Sequence, residues 1–218
     1  MTTRNSGSLD EQAKRLTEVI LKGDDSDAAR IASELAHGTT ETNNVVDAIS
    51  ETMNIVADLH EVERYDPEQV ARCERAAEKA LDAIRPRMRL EQRRISGKVM
   101  VSSLKGDPHN FDKTLLLAML ESGGISALDG GEELSPEDIT KKVSTMKPDI
   151  LAIPLITSKA AQSLMDTKSR LEKSGAKTKI VAYGRGTTSL PTEASHVVER
   201  SEDSLGALSK IAEILLTS

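Results

Sequence analysis

From Lys98 onward the chain alternates short apolar runs with amphipathic stretches, and this rhythm limits the possible folds more than any single residue does. The runs at 98–103, 125–128, 149–155 and 179–183, with a weaker one at 196–198, have the length and character of strands. The intervening stretches begin at about 112, 135, 158 and 190, with a last one over 203–216, and carry helical spacing. Near-continuous apolar strands separated by helices predict a parallel sheet covered on both faces. One helix start is marked clearly: Ser135-Pro136-Glu137-Asp138 offers an N-cap hydroxyl, proline at the first helical position and acids in the first turn.

Ahead of Pro86 the period is helical throughout. Leu16, Val19 and Ile20 share one face, Gly23-Asp24-Asp25-Ser26 predicts a turn, and Ala28 to Ala36 predicts a second helix ending at His37-Gly38. Val45, Ile49, Met53, Ile55 and Val56 continue a third helix. Pro67 to Ile84 predicts a fourth, with Asp66 as N-cap and Pro67 as first residue. Four helices joined by short turns make a small antiparallel bundle. The expected fold is therefore α plus α/β: a helical bundle over residues 9–86, then a Rossmann-like, doubly wound, five-stranded parallel domain over 97–217. The arginine-rich connector from Arg87 to Arg94 is read as a solvated linker rather than a docking strip for an acidic partner.

Composition narrows the function classes. Only Tyr65, Phe111 and Tyr183 are aromatic, so the core must be built from Leu, Ile, Val, Ala and Met, which suits helices and a parallel sheet. A net charge of −6 argues against a nucleic-acid partner, whose footprint is normally basic. No apolar run reaches the length of a membrane span, and the first residues lack a signal peptide's apolar stretch, so a cytoplasmic protein is expected. The single cysteine, Cys73, excludes an internal disulfide and a cysteine-based zinc site, and reads as a packed helix residue.

The stretch from Lys105 to Lys113 places Asp107 two residues before His109, between a buried strand ending at Leu104 and a helix over Thr114 to Glu121. Loops at this position carry the ligand site in open α/β sheets. Here the chain resembles the cobalamin-binding domain shared by methionine synthase, methylmalonyl-CoA mutase and the corrinoid proteins of methanogens and acetogens. That domain's signature is Asp-x-His-x-x-Gly. Asp107 and His109 match it, as do the flanking Lys105, Gly106 and Lys113, whereas the glycine position holds Asp112. The resemblance implies that His109 is the metal ligand, replacing the cofactor's own base below cobalt. Cobalt accepts an imidazole nitrogen, and Asp107 at the other ring nitrogen would fix the tautomer and raise the ligand's basicity.

The plan of bundle followed by doubly wound domain resembles the methyltransferase corrinoid proteins over nearly all of residues 9–217. Leu16 to Asp25 is similar to the family's first helix and turn, and Val56 to Pro86 has the family's length. Other positions depart. Where the family's apolar cap over the corrin is expected, the chain reads Val70-Ala71-Arg72-Cys73-Glu74, with His60 in place of a large apolar residue. The family's Ser-x-Leu motif, which lines the slot for the nucleotide tail, reads Ile153-Pro154-Leu155 and is followed by the hydroxyls of Thr157 and Ser158. Its Gly-Gly reads Tyr183-Gly184, followed by Arg185 as a possible anion partner. The cofactor-binding set implied is Ser103, Asp107, His109, Asp112, Leu155, Thr157, Tyr183 and Gly184. The implied function is a corrinoid carrier that binds cobalamin, takes a methyl group from one methyltransferase and presents it to another, and is not a complete enzyme alone. The alternative is a degenerate domain with a regulatory or sensory role that binds another ligand or none.

Overall fold

A computed structural model describes residues 6–88, 95–107, 109–157, 160–191 and 198–217. The chain divides into two compact units, Met1–Arg89 and Leu90–Ser218.

The first unit is helical: α1 (Ser6–Lys22), α2 (Asp25–Leu35), α3 (Thr39–Glu61) and α4 (Pro67–Ile84), closed by a 3-10 turn over Arg85–Arg87. Leu16, Ile20, Ile31, Ile49, Val56, Leu81 and Ile84 fill its core, each from the apolar stripe of its helix. The turn expected over Gly23–Ser26 is two residues shorter in the structure. Asp24 accepts from the Asp27 N–H at 3.0 Å as an N-cap, which lets α2 begin at Asp25. Asp66 caps α4 as expected, and Gln69 completes a capping box. Cys73 is buried, with its thiol 3.5 Å from the Leu21 carbonyl. Arg87 donates to the carbonyl and hydroxyl of Ser33, so this end of the connector is held against α2, while residues 89–94 lie outside the described residues.

The second unit holds β1 (Lys98–Leu104), α5 (Phe111–Ser122), β2 (Ser126–Leu134), α6 (Pro136–Met146), β3 (Ile150–Pro154), α7 (Ala160–Lys173), β4 (Lys179–Tyr183), β5 (Val198–Ser201) and α8 (Ser204–Leu216). The strands form one parallel sheet in the order β2-β1-β3-β4-β5. Period-two alternation sorts their side chains into two layers. Met100, Leu104, Leu151, Ile153 and Ala182 pack with Ile139, Val143 and Leu164 on the α6–α7 face. Val99, Val101, Ala152, Val181 and Tyr183 pack with Leu116, Leu120 and Ile211 on the α5–α8 face. This is the doubly wound architecture the alternation predicted.

Two elements differ from their expected bounds. The second strand continues past 128 to Leu134, through Asp129-Gly130-Gly131-Glu132-Glu133. A polar run is tolerated because this is an edge strand, where charge blunts unwanted pairing. Its pairing with β1 is irregular on both sides of Ser102, and Gly130 lies too close to the Ser102 hydroxyl to carry a Cβ. The helix expected at about 190 does not begin there: Arg185–Ser189 is a 3-10 turn, and Leu190 leaves it in extended backbone. The start expected at 158 and most of the strand at 196–198 fall on residues outside the described set, although β5 itself begins at Val198.

Candidate functional site

The sheet order places its topological switch between β1 and β3, so a ligand crevice is expected between the loops that follow them. The loop after β1 carries Asp107 and His109, and both are almost wholly enclosed, at 1% and 3% exposure. The chain reaches this point through a tight turn in which Gly106 adopts φ +92 and the Asp107 N–H returns to the Leu104 carbonyl at 3.2 Å. Left-handed backbone of this kind suits glycine.

The Asp107 carboxylate spans the crevice. One oxygen accepts from the backbone N–H groups of Ile156 at 2.8 Å and Thr157 at 3.1 Å, both in the loop after β3. The other lies 3.4 Å from the backbone nitrogen of His109. Asp107 therefore acts on His109 through the main chain, by fixing the loop that presents it. Burial pushes its pKa up, while the N–H donors of Thr157, Ile156 and His109 pull the other way.

Asp112 does not sit in a turn, as its place in the signature suggested. The helix starts three residues earlier than the apolar run implied, so Asp112 lies in the first turn of α5. Its carboxyl is raised to about 6 by desolvation and by the nearby Asp107 charge, against weaker help from Ser204 and Arg185. Beneath it, the fully buried Tyr183 ring points into the α5–α8 layer and donates its hydroxyl to the Asp112 carbonyl at 3.0 Å.

The remaining predicted residues surround this pair. Ser103 donates to the Asn110 side chain at 2.6 Å and accepts from the Glu133 N–H at 3.2 Å, tying β1 to the start of α5 and the end of β2. Leu155 is buried, and its N–H meets the Tyr183 carbonyl at 2.7 Å. Thr157 contributes its backbone N–H; Ser158 lies outside the described residues. Gly184 adopts φ +101, where a side chain would also meet the Leu155 carbonyl. The hydroxyls of Thr187 and Thr188 both return to the backbone of their own turn, at Gly184 and Arg185, which commits them to the turn's structure.

In the first unit, Val70 and Cys73 point into the bundle core, and Arg72 lies 3.9 Å from Glu68 on its exposed side. His60 lies in the last turn of α3 with Nδ1 2.9 Å from the Tyr65 carbonyl.

One charged group near the loop reads in the sequence only as a flank of the signature. Lys113, 3% exposed, reaches Asp129 at 2.9 Å and Glu132 at 3.0 Å on β2. Burial pulls its pKa down, but the two carboxylates outweigh that and hold it above the usual lysine value. The available signal for its burial is a lysine on the apolar face of a helix, between Phe111 and Leu116. Among the described residues, no cluster of three or more His, Cys, Asp and Glu side chains has the arrangement to hold a metal ion by itself. No described helix is long and apolar enough to cross a membrane.

Comparison with known proteins agrees with this architecture. Residues 12–85 match the B12 binding domain family. The chain is 22% identical over 169 residues to trimethylamine corrinoid protein 1 of Methanosarcina mazei, across 76% of this chain and 78% of that protein. It is 23% identical over 175 residues to the trimethylamine corrinoid protein of Methanosarcina barkeri, across 78% and 80%. Among solved structures, the monomethylamine corrinoid protein of Methanosarcina barkeri shares the fold with a TM-score of 0.75 at 17% identity, over 94% of this chain and 99% of that one. The methanol:cobalamin methyltransferase complex of the same organism gives a TM-score of 0.50 at 17% identity, over 96% and 81%. The resemblance to methyltransferase corrinoid proteins and the bundle-plus-sheet fold are thereby shown.

Proposed function

We propose that this chain is a corrinoid carrier, with His109 as the axial ligand below cobalt and residues 97–217 as the corrinoid-binding domain. The observation that carries this reading is the enclosed Asp107–His109 pair in the loop at the switch point of the sheet, the place where open α/β sheets hold ligands. An imidazole nitrogen is the donor type that cobalt accepts.

The division of labour follows from the residues. His109 supplies the nitrogen. Asp107 keeps the loop in register by binding the backbone of residues 156–157, so its influence on ligation passes through loop position. Ser103 and Asn110 brace the start of α5 just beyond the histidine. Bound corrinoid supplies the transfer chemistry itself, and the protein supplies binding, orientation and exclusion of water. Within this reading residues 9–86 are the cap domain, and the partners are methyltransferases that deliver and remove the methyl group.

Reconstitution with aquocobalamin tests it. The expected result is a visible spectrum of base-off, histidine-on cobalamin in the parent, changing to base-off without histidine in His109→Ala. An unchanged spectrum in that variant refutes the assignment. Asp107→Asn is expected to weaken ligation by about ten- to hundredfold, the usual range for groups supporting a metal ligand.

A second reading, a regulatory or sensory domain that has kept the fold without the cofactor, is favoured by one observation: Tyr183 fills the α5–α8 layer next to Asp112. Absence of any bound corrinoid after reconstitution selects it.

A further inference from the structure

We infer that this chain carries both halves of a contact between copies of itself. An acidic ridge with apolar side chains on α3 of one copy fits a lysine-rimmed groove at the amino ends of the strands in a second copy. Neither surface includes the loop that carries His109, so this contact is independent of the corrinoid reading.

Charge is distributed unevenly along the chain. Residues 1–89 carry 12 Lys and Arg against 18 Asp and Glu, whereas residues 90–218 carry 17 of each, so the whole net charge of −6 lies in the bundle unit. Within that unit, residues 31–63 hold seven acids and no Lys or Arg. The opposite imbalance occurs over residues 139–180, with nine Lys and Arg against three acids. Patches of opposite sign on one molecule steer copies of it toward each other and suppress other registers.

On α3, Asp47, Glu51, Ile55, Asp58 and Val62 recur every three or four residues, which places them on one face of the helix and its end. The three acids are exposed, and so are Ile55 at 42% and Val62 at 63%. The bundle core takes Val45, Ile49, Met53 and Val56 from the opposite side of α3, which leaves the two apolar side chains of the stripe in solvent.

The groove of about 530 Å³ at the other surface has a matching plan. Lys147, Lys177 and Lys179 line it together with Val143, Ile214 and Leu215, and the next residue, Leu216, is 60% exposed. Among the described lining residues the single carboxylate is Asp149, which already accepts the Lys98 N–H at 2.8 Å. Small ligands of open α/β sheets bind at the opposite end. An apolar floor with a charged rim is instead the anatomy of a protein interface.

Ile55 and Val62 stand about 10 Å apart along the helix at its usual rise per residue. A groove of this size, within the about 300–1,000 Å³ of sites that enclose a small ligand, has room for both side chains. Asp47, Glu51 and Asp58 then meet the lysines at its rim. Each copy presents one ridge and one groove, and such a heterologous contact propagates into a ring or an open chain.

Sedimentation equilibrium of the full chain tests this contact. At about 0.1 mM protein and about 0.01 M salt, where charges act over about 30 Å, the weight-average mass is expected to be at least about 1.5 times the monomer's, falling to the monomer's at about 1 M salt. Two variants, checked for folding by circular dichroism, reverse one surface each: Asp47→Lys with Glu51→Lys on the ridge, and Lys147→Glu with Lys177→Glu in the groove. Each alone is expected to be monomeric at low salt. Mixed in equal amounts they are expected to regain association, because each supplies the charge that the other has reversed. Both variants remain net negative, so attraction between whole molecules does not explain recovery. Ile55→Asp is expected to weaken association of the parent at least about tenfold although it adds an acid facing the lysines, which separates burial of the ridge from charge alone. A parent that is monomeric at low salt overturns the inference. So does association that survives either charge reversal, or a mixture of the two variants that stays monomeric.

Discussion

The two ends of the parallel sheet are built on opposite terms. At the carboxyl ends of the strands, a buried carboxylate, the loops after β1 and β3 and a buried tyrosine are tied together by specified hydrogen bonds. At the amino ends lies an open groove of about 530 Å³, lined by Lys147, Lys177, Lys179 and Asp149 among others. This groove lies at the end where open α/β sheets do not place ligands. The groove is what remains between two short helix-to-strand turns with exposed lysines, whereas the closed end holds polar groups whose burial costs stability unless each finds a partner. Committed polar chemistry, rather than empty volume, marks the end built for a ligand.

That contrast is most directly broken at Asp107. Asp107→Ala leaves the N–H groups of Ile156 and Thr157 without their acceptor in a closed site, and each such loss costs about 1–3 kcal/mol. A loss of about 4 kcal/mol is expected by denaturant titration. Replacing Lys177 at the open end by Ala is expected to change stability by no more than about 0.5 kcal/mol. Equal effects at the two ends would remove the distinction.

Asp112 sharpens it through pH. Its folded pKa of about 6 lies above the ordinary 3.8, so its contribution to stability is fully present below about pH 4 and is lost as pH rises through 6. A shift of that size corresponds to a fall of about 3 kcal/mol by neutral pH. Asp112→Asn is expected to remove this part of the decline. The parent and the variant should therefore show different slopes between pH 4 and 7 when unfolding is measured at several pH values. Parallel curves would mean that the carboxyl is not desolvated beneath the closed loops.

These same residues show what the sequence displays and what it hides. The helices, the sheet and its two layers were legible because each rests on a period: 3.6 for Leu16, Val19 and Ile20, and near-continuous apolar runs for the strands. The far half of β2 was not, since Asp129 to Glu133 is polar and becomes a strand only by pairing with β1. Asp107 and His109 were legible as a pair from their spacing. Their setting was not, because the groups that hold Asp107 are backbone N–H donors 49 and 50 residues away, which leave no side-chain signature. Likewise Tyr183 was legible as a bulky departure from a glycine position, but its bond to a carbonyl in α5 is a product of tertiary packing.

Lys113 tests the edge of the closed end. Its ammonium is buried, but Asp129 and Glu132 are about half exposed and remain solvated without it. Lys113→Met keeps much of the side chain's volume while removing the charge, so the loss is expected to be about 1–2 kcal/mol, well below that at Asp107. The difference should shrink in high salt, because the exposed carboxylates are screened. A loss matching that of Asp107→Ala would extend the tightly specified region to the sheet's β2 edge.

A small effect with the opposite sign is expected at Lys147, at the open end. Lys147 ends α6 in the left-handed conformation, φ +48 and ψ 58, while its N–H returns to the Val143 carbonyl. A β-carbon in this region crowds the following carbonyl oxygen, whereas glycine adopts it freely and is the usual residue at such a helix end. Glycine also loses more conformational freedom on folding, which offsets part of the gain. Lys147→Gly is therefore expected to stabilise the protein by about 0.5–1 kcal/mol, read as a higher denaturation midpoint with an unchanged slope. Because Lys147 lines the groove, the variant also probes whether the open end contributes to binding. A surface shaped only by turn geometry is expected to leave the corrinoid titration unchanged alongside the gain in stability. Weakened corrinoid binding in this variant would show that the two ends of the sheet are coupled, and the contrast between them would have to be redrawn.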